Sequence, residues 1–273
     1  MIDTHCHLDM PRFDGDRAAV LERAWSAGLT GLIVPAVAPS TWEALLEWPA
    51  RDARVQVGLG IHPQFLPELD ERDDEKHLAF LDSLLSRGSA IAVGECGLDG
   101  PTKAVVPMER QVRIVRAHFA LARKHRLPML MHCLRAHPEL LALLKTEPLP
   151  EAGLLMHSYS GSADLTKKYV KYGCHFSFAG PVSFAEARRP IDALKSVPLE
   201  RLLAETDAPD QAPHPHRGQR SEPAFLPLIV EAMARGRGEP LEVTRDAMLS
   251  NTKRLFPVFQ GAQDAFMASS SRA

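Results

Sequence analysis

His5-Cys6-His7 is the first place where this chain could do chemistry. Side chains of an extended segment alternate, so the two imidazoles share one face and Cys6 points to the other. Two imidazoles so placed can grip one divalent ion. Alone, such a pair is as often packing or surface as it is a ligand. Its weight comes from Glu95 after Gly94, His132, His157, and Asp207 after Thr206, each of which closes a short apolar run. Four imidazoles and two carboxylates exceed the needs of one catalytic zinc, which takes three protein ligands plus water. They suit two divalent ions per chain, about 3.5–4 Å apart and bridged by a carboxylate. Glu95 is the expected bridge, because it has two oxygens and comes from a strand between the others. One ion would take His5, His7 and Asp207, and the other His132 and His157. This imidazole-rich set suits Zn²⁺, Mn²⁺, Fe²⁺ or Ni²⁺ better than Mg²⁺, which prefers all-oxygen shells. The expected chemistry is hydrolysis by a metal-activated water, with Asp207 as general base and Glu95 and His62 as its catalytic companions.

His62 precedes Pro63 at the end of a strand. It is expected to contact a substrate phosphate or move a proton, with capping of its own loop as the plainer role. Arg135 is a candidate for binding a phosphate or carboxylate of the substrate, with an exposed loop arginine as the plainer role. Glu205 shares the face of Asp207 and is placed to orient a ligand; Asp99 either does the same or only holds its loop. Cys6, Cys96 and Cys133 adjoin ligands, but alternation sends them toward the outer layer, where they read as packing. Ser158, Ser160 and Ser183 lack the glycine-flanked elbow of a serine hydrolase.

The elements that must position these groups follow from periodicity. Apolar runs over 2–7, 31–34, 55–60, 91–95, 129–132, 154–157, 175–178 and 202–206 read as strands. Helical patterns cover 18–27, 78–87, 108–125, 138–144, 163–172, 223–234 and 241–255. Eight strands alternating with helices predict an α/β fold, a (β/α)₈ TIM barrel, and no glycine-rich phosphate fingerprint follows the first strand to favour an open sheet. In such a barrel the C-terminal strand ends converge on one mouth. The six ligand candidates would meet there, whereas histidines that merely pack the core would be scattered. Residues 1–259 are expected to form one barrel domain and 260–273 a flexible tail. The aperiodic, Pro- and His-rich segment 207–222 reads as a functional loop.

The bulk composition excludes several classes. The chain has 273 residues, 45% of them hydrophobic, enough for a core without disulfides. Its 32 basic and 34 acidic residues give no global field for nucleic acid, so phosphate binding must be local. Four cysteines without a CxxC pair suit a reduced compartment. No apolar run is long enough to span a membrane and no leader pattern is seen, so a cytoplasmic protein with no membrane partner and no obligatory protein partner is expected.

The motifs Ile2-Asp3-Thr4-His5-Cys6-His7-Leu8-Asp9, Gly60-Ile61-His62-Pro63, Gly94-Glu95-Cys96-Gly97-Leu98-Asp99, Met131-His132-Cys133, His157-Ser158-Tyr159-Ser160-Gly161 and Glu205-Thr206-Asp207-Ala208-Pro209-Asp210 occur in an order that resembles the TatD family of metal-dependent hydrolases, from residue 1 to about 256. The resemblance implies an amidohydrolase-like barrel with one or two divalent ions. It also implies phosphoester cleavage, described as deoxyribonuclease or 3′–5′ exonuclease activity. Residue by residue, its metal positions fall on His5, His7, Glu95, His132, His157 and Asp207. There are departures. Gly100-Pro101-Thr102-Lys103 stands where many relatives have an aromatic residue, and Leu134 where many have Arg, with Arg135 one place later. The loop after Asp210 is long and carries Arg217 and Arg220. In these respects the chain resembles a less characterised branch. The expected substrate is a phosphate-containing small molecule or a single-stranded nucleic acid end, with phosphodiester bonds of DNA or nucleotides as the target. The alternative is an amide or ester, such as an aminoacyl-tRNA. A metal-binding protein without turnover is disfavoured by the complete ligand set. The charge of the mouth discriminates: Arg135, Arg217 and Lys103 around the ions favour phosphate, and an apolar mouth favours an ester or amide.

Overall fold

Runs of Val, Leu, Ile and Met too short for a helix and buried on both faces can only be satisfied as parallel strands under a helical layer. The computed structural model, which describes residues 1–260, contains eight. They are β1 (Ile2–Asp3), β2 (Gly31–Pro35), β3 (Val55–Leu59), β4 (Ala92–Asp99), β5 (Met129–Leu134), β6 (Leu154–Met156), β7 (Cys174–Phe178) and β8 (Leu202–Ala204). Each pairs in parallel with the next in chain order. The ends of this sheet meet: Thr4 N–H donates to the Ala204 carbonyl (3.2 Å) and Asp207 N–H to that of His5 (2.9 Å). The fold is a (β/α)₈ TIM barrel, as the alternation predicts.

The outer layer comprises α1 (Arg17–Ser26), α2 (Trp42–Leu46), α3 (Trp48–Arg51), α4 (Asp74–Leu85), α5 (Met108–His125), α6 (His137–Thr146), α7 (Ala163–Val170), α8 (Arg188–Ser196), α9 (Leu226–Arg237) and α10 (Leu241–Leu255). α5 shows how sequence sets this layer. Ile114, Val115, Phe119 and Ala122 recur at helical spacing and are buried, and Arg126 ends the helix in the left-handed region (φ 54°). Fully burying a side chain such as Phe119 stabilises by about 1.5–3 kcal/mol. Inside the barrel Ile2, Ile33, Ala92, Leu130, Leu155 and Leu203 pack with Leu255, Phe256 and Phe259, filling the space below the mouth.

Several element boundaries correct the sequence expectation. β1, β6 and β8 stop before His5, His157 and Asp207, so these candidate ligands stand on loops just past the strands. β4 instead runs on to Asp99, beyond Glu95, because its pairing with β5 resumes from Cys96 to Asp99 after a register shift. Two short helices, α2 and α3, follow β2 where periodicity gave no signal, since each is too short to display it. α8 buries Ala193 and Leu194 and leaves Arg188 and Arg189 exposed. The expected tail at 260–273 lies, Gln260 apart, outside the described residues. Among those described, no helix is long and apolar enough to cross a membrane.

Candidate metal centre

Four local devices bring the candidate ligands together. At β1, Asp3 accepts hydrogen bonds from His5 N–H (3.2 Å), Thr206 N–H (3.0 Å) and Thr206 Oγ1–H (2.5 Å). One buried carboxylate thereby staples the segment carrying His5 and His7 to the one carrying Asp207. Burial raises the Asp3 carboxyl to about 7, with the bonds from Thr206 opposing. At β4, Gly94 adopts φ 136°, and a Cβ there would lie 2.5 Å from the Leu130 carbonyl. Only glycine lets the strand bulge against β5 in this way, and the bulge sends the Glu95 side chain into the barrel mouth. At β5, Asp99 Oδ2 lies 3.0 Å from His132 Nε2. That bond fixes the proton on Nε2 and leaves Nδ1 as the free lone pair. At β6, Glu205 Oε1 lies 3.5 Å from His157 Nδ1. Glu205 itself accepts from Ser158 N–H (2.5 Å) and from the Ser177 hydroxyl.

Glu95 sits at the centre, 1% exposed. Its Oε2 is 3.1 Å from His5 Nε2 and 3.3 Å from His7 Nε2. Its Oε1 is 2.8 Å from His157 Nε2, 3.2 Å from His132 Nδ1 and 2.9 Å from His62 Nε2. Asp207 Oδ1 completes the first side, 3.6 Å from His7 Nε2 and 3.9 Å from His5 Nε2. The rings of His5 and His157 stack at 3.9 Å. A carboxylate offers about four lone-pair sites, yet five imidazole nitrogens crowd this one. The nitrogens also face one another: His5 Nε2 and His7 Nε2 are 3.2 Å apart, and His132 Nδ1 and His157 Nε2 3.3 Å. Lone pairs that converge at this spacing fit cations better than shared protons. The residues present therefore fit a divalent metal centre, on the donor chemistry that the sequence suggests.

The electrostatics agree with strong coupling around Glu95. Burial alone would raise its carboxyl, but His62, His157 and His5 hold it well below the usual carboxylate range. Burial pulls His5 and His62 down to about 4 against the attraction of Glu95. At His7 burial is outweighed by Glu95 and Asp207, which lift it to about 9. Burial lifts Asp207 to about 6, with His157 and His7 opposing.

All six expected ligands thus meet at one place, and His62 joins them. The His62 Nδ1 accepts from Gln64 N–H (3.1 Å) at the start of a 3₁₀ turn over Pro63–Glu68. It therefore caps its loop and also presents Nε2–H to Glu95. Arg135 does not join the cavity. It is exposed with φ 51°; β5 ends at Leu134, which lines the cavity, and Arg135 follows it in a left-handed turn. Lys103 is exposed and does not line the cavity, and two loop arginines are engaged elsewhere. Arg217 pairs with Glu186, and Arg220 with Asp16 (2.7 Å) and Glu222 (3.0 Å). The cavity above Glu95 measures about 400 Å³, with apolar walls from Met10, Val37, Phe65, Leu134, Phe178 and Val182. Among the described residues no Lys or Arg lines it. Cys6 and Cys96 are buried in the core, as expected of packing thiols. Cys133 contacts the His137 ring (3.3 Å) rather than Glu95. Sequence reasoning missed Asp3, Gln64 and Gln211. Gln64 Nε2 donates to Asp99 Oδ2 (3.0 Å), and Gln211 Nε2 donates to Asp207 Oδ2. Asp3 shared a motif with His5 and was the one with a signal to follow.

Comparison with known proteins reports the same chemistry. A family model described as "TatD related DNase" matches residues 2–257. The chain is 34% identical over 261 residues to "Uncharacterized metal-dependent hydrolase YjjV" of Escherichia coli (strain K12), covering 94% of this chain and 98% of that protein. It is 30% identical over 268 residues to "3'-5' ssDNA/RNA exonuclease TatD" of Enterobacter lignolyticus (strain SCF1), covering 94% and 99%. The crystal structure of the Escherichia coli YjjV protein superposes with a TM-score of 0.86 at 32% identity, covering 94% of this chain and 98% of that one.

Proposed function

Because the chain belongs to the TatD family of metal-dependent hydrolases, we propose that it cleaves phosphodiester bonds at the ends of single-stranded nucleic acid or in nucleotides. The observation that carries this reading is the Glu95 carboxylate, with one oxygen facing His5 and His7 and the other facing His132 and His157. Paired sites of this form stabilise both the attacking and the leaving oxygen of an in-line displacement. A relative named as a 3′–5′ single-strand exonuclease supports the same substrate class.

In this reading His5, His7 and Asp207 would hold one divalent ion and His132 and His157 the other, with Glu95 between the two sets. Such ions supply the Lewis acidity that makes a water nucleophilic near neutral pH. Asp207 accepts the proton of the attacking water. Asp99 and Glu205 keep the imidazoles of His132 and His157 in the ligating tautomer and orientation. His62 donates Nε2–H to Glu95, holding the bridge in place, and faces the substrate from the cavity wall.

One observation favours a second reading. The cavity has apolar walls and, among the described residues, no Lys or Arg, so an ester or amide such as an aminoacyl-tRNA fits it as an acyl substrate would. The two readings separate in one assay with Mn²⁺ or Zn²⁺ added. The substrates are 3′-labelled single-stranded DNA, a nucleotide diester and an aminoacyl-tRNA. Nucleotide release from DNA or the diester is the expected result. Deacylation with no release from either phosphodiester would replace the first reading by the second.

A further inference from the structure

Gln211 lies in the loop after β8, on the wall of the cavity. Its side-chain amide has two protons, and both are used. One goes to Asp207 Oδ2, the other to Ser158 Oγ (2.6 Å). Ser158 N–H in turn donates to Glu205 Oε1, which faces His157. The amide therefore links Asp207 on one side of the centre to His157 on the other. Gln211 and the two residues its amide joins all carry left-handed backbone: Gln211 at φ 53°, Ser158 at 42° and Asp207 at 52°. Side chains with a Cβ rarely adopt such angles, and they cluster where function over-determines the structure. The loop can come this close because residue 180 is glycine; a Cβ there would sit 1.8 Å from the Gln211 carbonyl oxygen.

We infer that Gln211 is a positioning residue that selects which oxygen of Asp207 serves the metal centre. The amide caps Oδ2, leaving Oδ1, the atom nearest His5 and His7, for the ion and the reacting water. A neutral donor does this without placing a competing positive charge beside the ion, as a Lys or Arg would. The inference rests on the reading of Asp207 as ligand and base given above.

The test uses the full chain loaded with Mn²⁺. Gln211→Met keeps the length of the side chain and removes both donors. Calorimetric titration should show one Mn²⁺ bound about tenfold more weakly, the effect typical of losing a ligand's supporting bond, and the other unchanged. Turnover should fall in kcat by a similar factor with KM unaltered. Ser158→Ala, which frees only the far end of the amide, should move both readouts the same way by less. In the double variant Asp207→Asn/Gln211→Met, the second change should cost nothing beyond the first. Impaired Asp207→Asn beside a Gln211→Met that binds Mn²⁺ and turns over like wild type would overturn this inference alone. Losses that multiply in the double variant would also overturn it. Wild-type metal binding and turnover in Asp207→Asn would remove the reading of Asp207 and this inference with it.

Discussion

Asp99→Asn is a nearly isosteric change that isolates the support of one ligand. Asp99 Oδ2 accepts from His132 Nε2 (3.0 Å) and Gln64 Nε2 (3.0 Å), and Oδ1 accepts from Thr102 N–H (2.8 Å). An asparagine cannot satisfy this set. If its oxygen faces His132, its NH₂ opposes the Thr102 N–H; if flipped, the NH₂ opposes two donors. In the second case His132 can relieve the conflict only by losing the Nε2 proton. That moves the proton to Nδ1, the atom that faces Glu95, and blocks its lone pair. Removing such a supporting carboxylate costs about 10–100-fold in metal affinity, or about 1.4–2.7 kcal/mol. Mn²⁺ titration of Asp99→Asn should therefore show one of two binding events weakened by that factor. The event assigned to His5, His7 and Asp207 should be untouched, and kcat should be lowered. Two events of wild-type affinity in a folded Asp99→Asn protein would refute the idea that Asp99 sets the tautomer of His132.

Three further outcomes are expected. Gly94→Ala should destabilise by at least about 2 kcal/mol in denaturant unfolding, because the added Cβ strikes the Leu130 carbonyl at a φ that alanine rarely adopts; wild-type stability would show that the β4 bulge can relax. Asp74→Ala should cost roughly 3 kcal/mol, since it strands the buried Arg110, which binds Asp74 at 2.8 and 3.0 Å and also holds the Leu66 and Leu69 carbonyls of the His62 loop. Burial would raise the Asp74 carboxyl, but Arg110 and Arg113 hold it below its usual range; the stabilisation is then present above the unfolded-state value of about 3.9 and lost as pH falls through the folded value, so unfolding curves of wild type and Asp74→Ala should converge in acid and not in base. Mn²⁺ at about 100 times its dissociation constant should raise unfolding stability by about 2.7 kcal/mol, a gain that EDTA reverses; no shift in the melting temperature would argue against a native metal centre.

That the six candidate residues cluster was readable from sequence because each ends a short apolar run, and a barrel brings such ends together whatever the loops do. The same logic found Glu205 and Asp99, which lie on or next to those runs. It misjudged where the strands stop, since strand length depends on pairing with a neighbour: β4 and β5 extend each other past Glu95, whereas β1 has only Ile2 and Asp3 to pair with β2. Gln211 carried no signal, because its role depends on a left-handed loop that curls back over Gly180. Arg135 takes the plainer of its two expected places, an exposed loop position: adjacency to a cavity residue does not decide which way a side chain points. The basic character of the 207–222 loop was likewise misleading, as Arg217 and Arg220 are neutralised by Glu186, Asp16 and Glu222.

A centre of two ions bridged by Glu95 is tested most directly by anomalous scattering from crystals grown with Mn²⁺. Two peaks about 3.5–4 Å apart are expected, one against His5, His7 and Asp207, the other against His132 and His157, with Glu95 between them. A single peak, or a peak that leaves Glu95 outside its coordination, would contradict it.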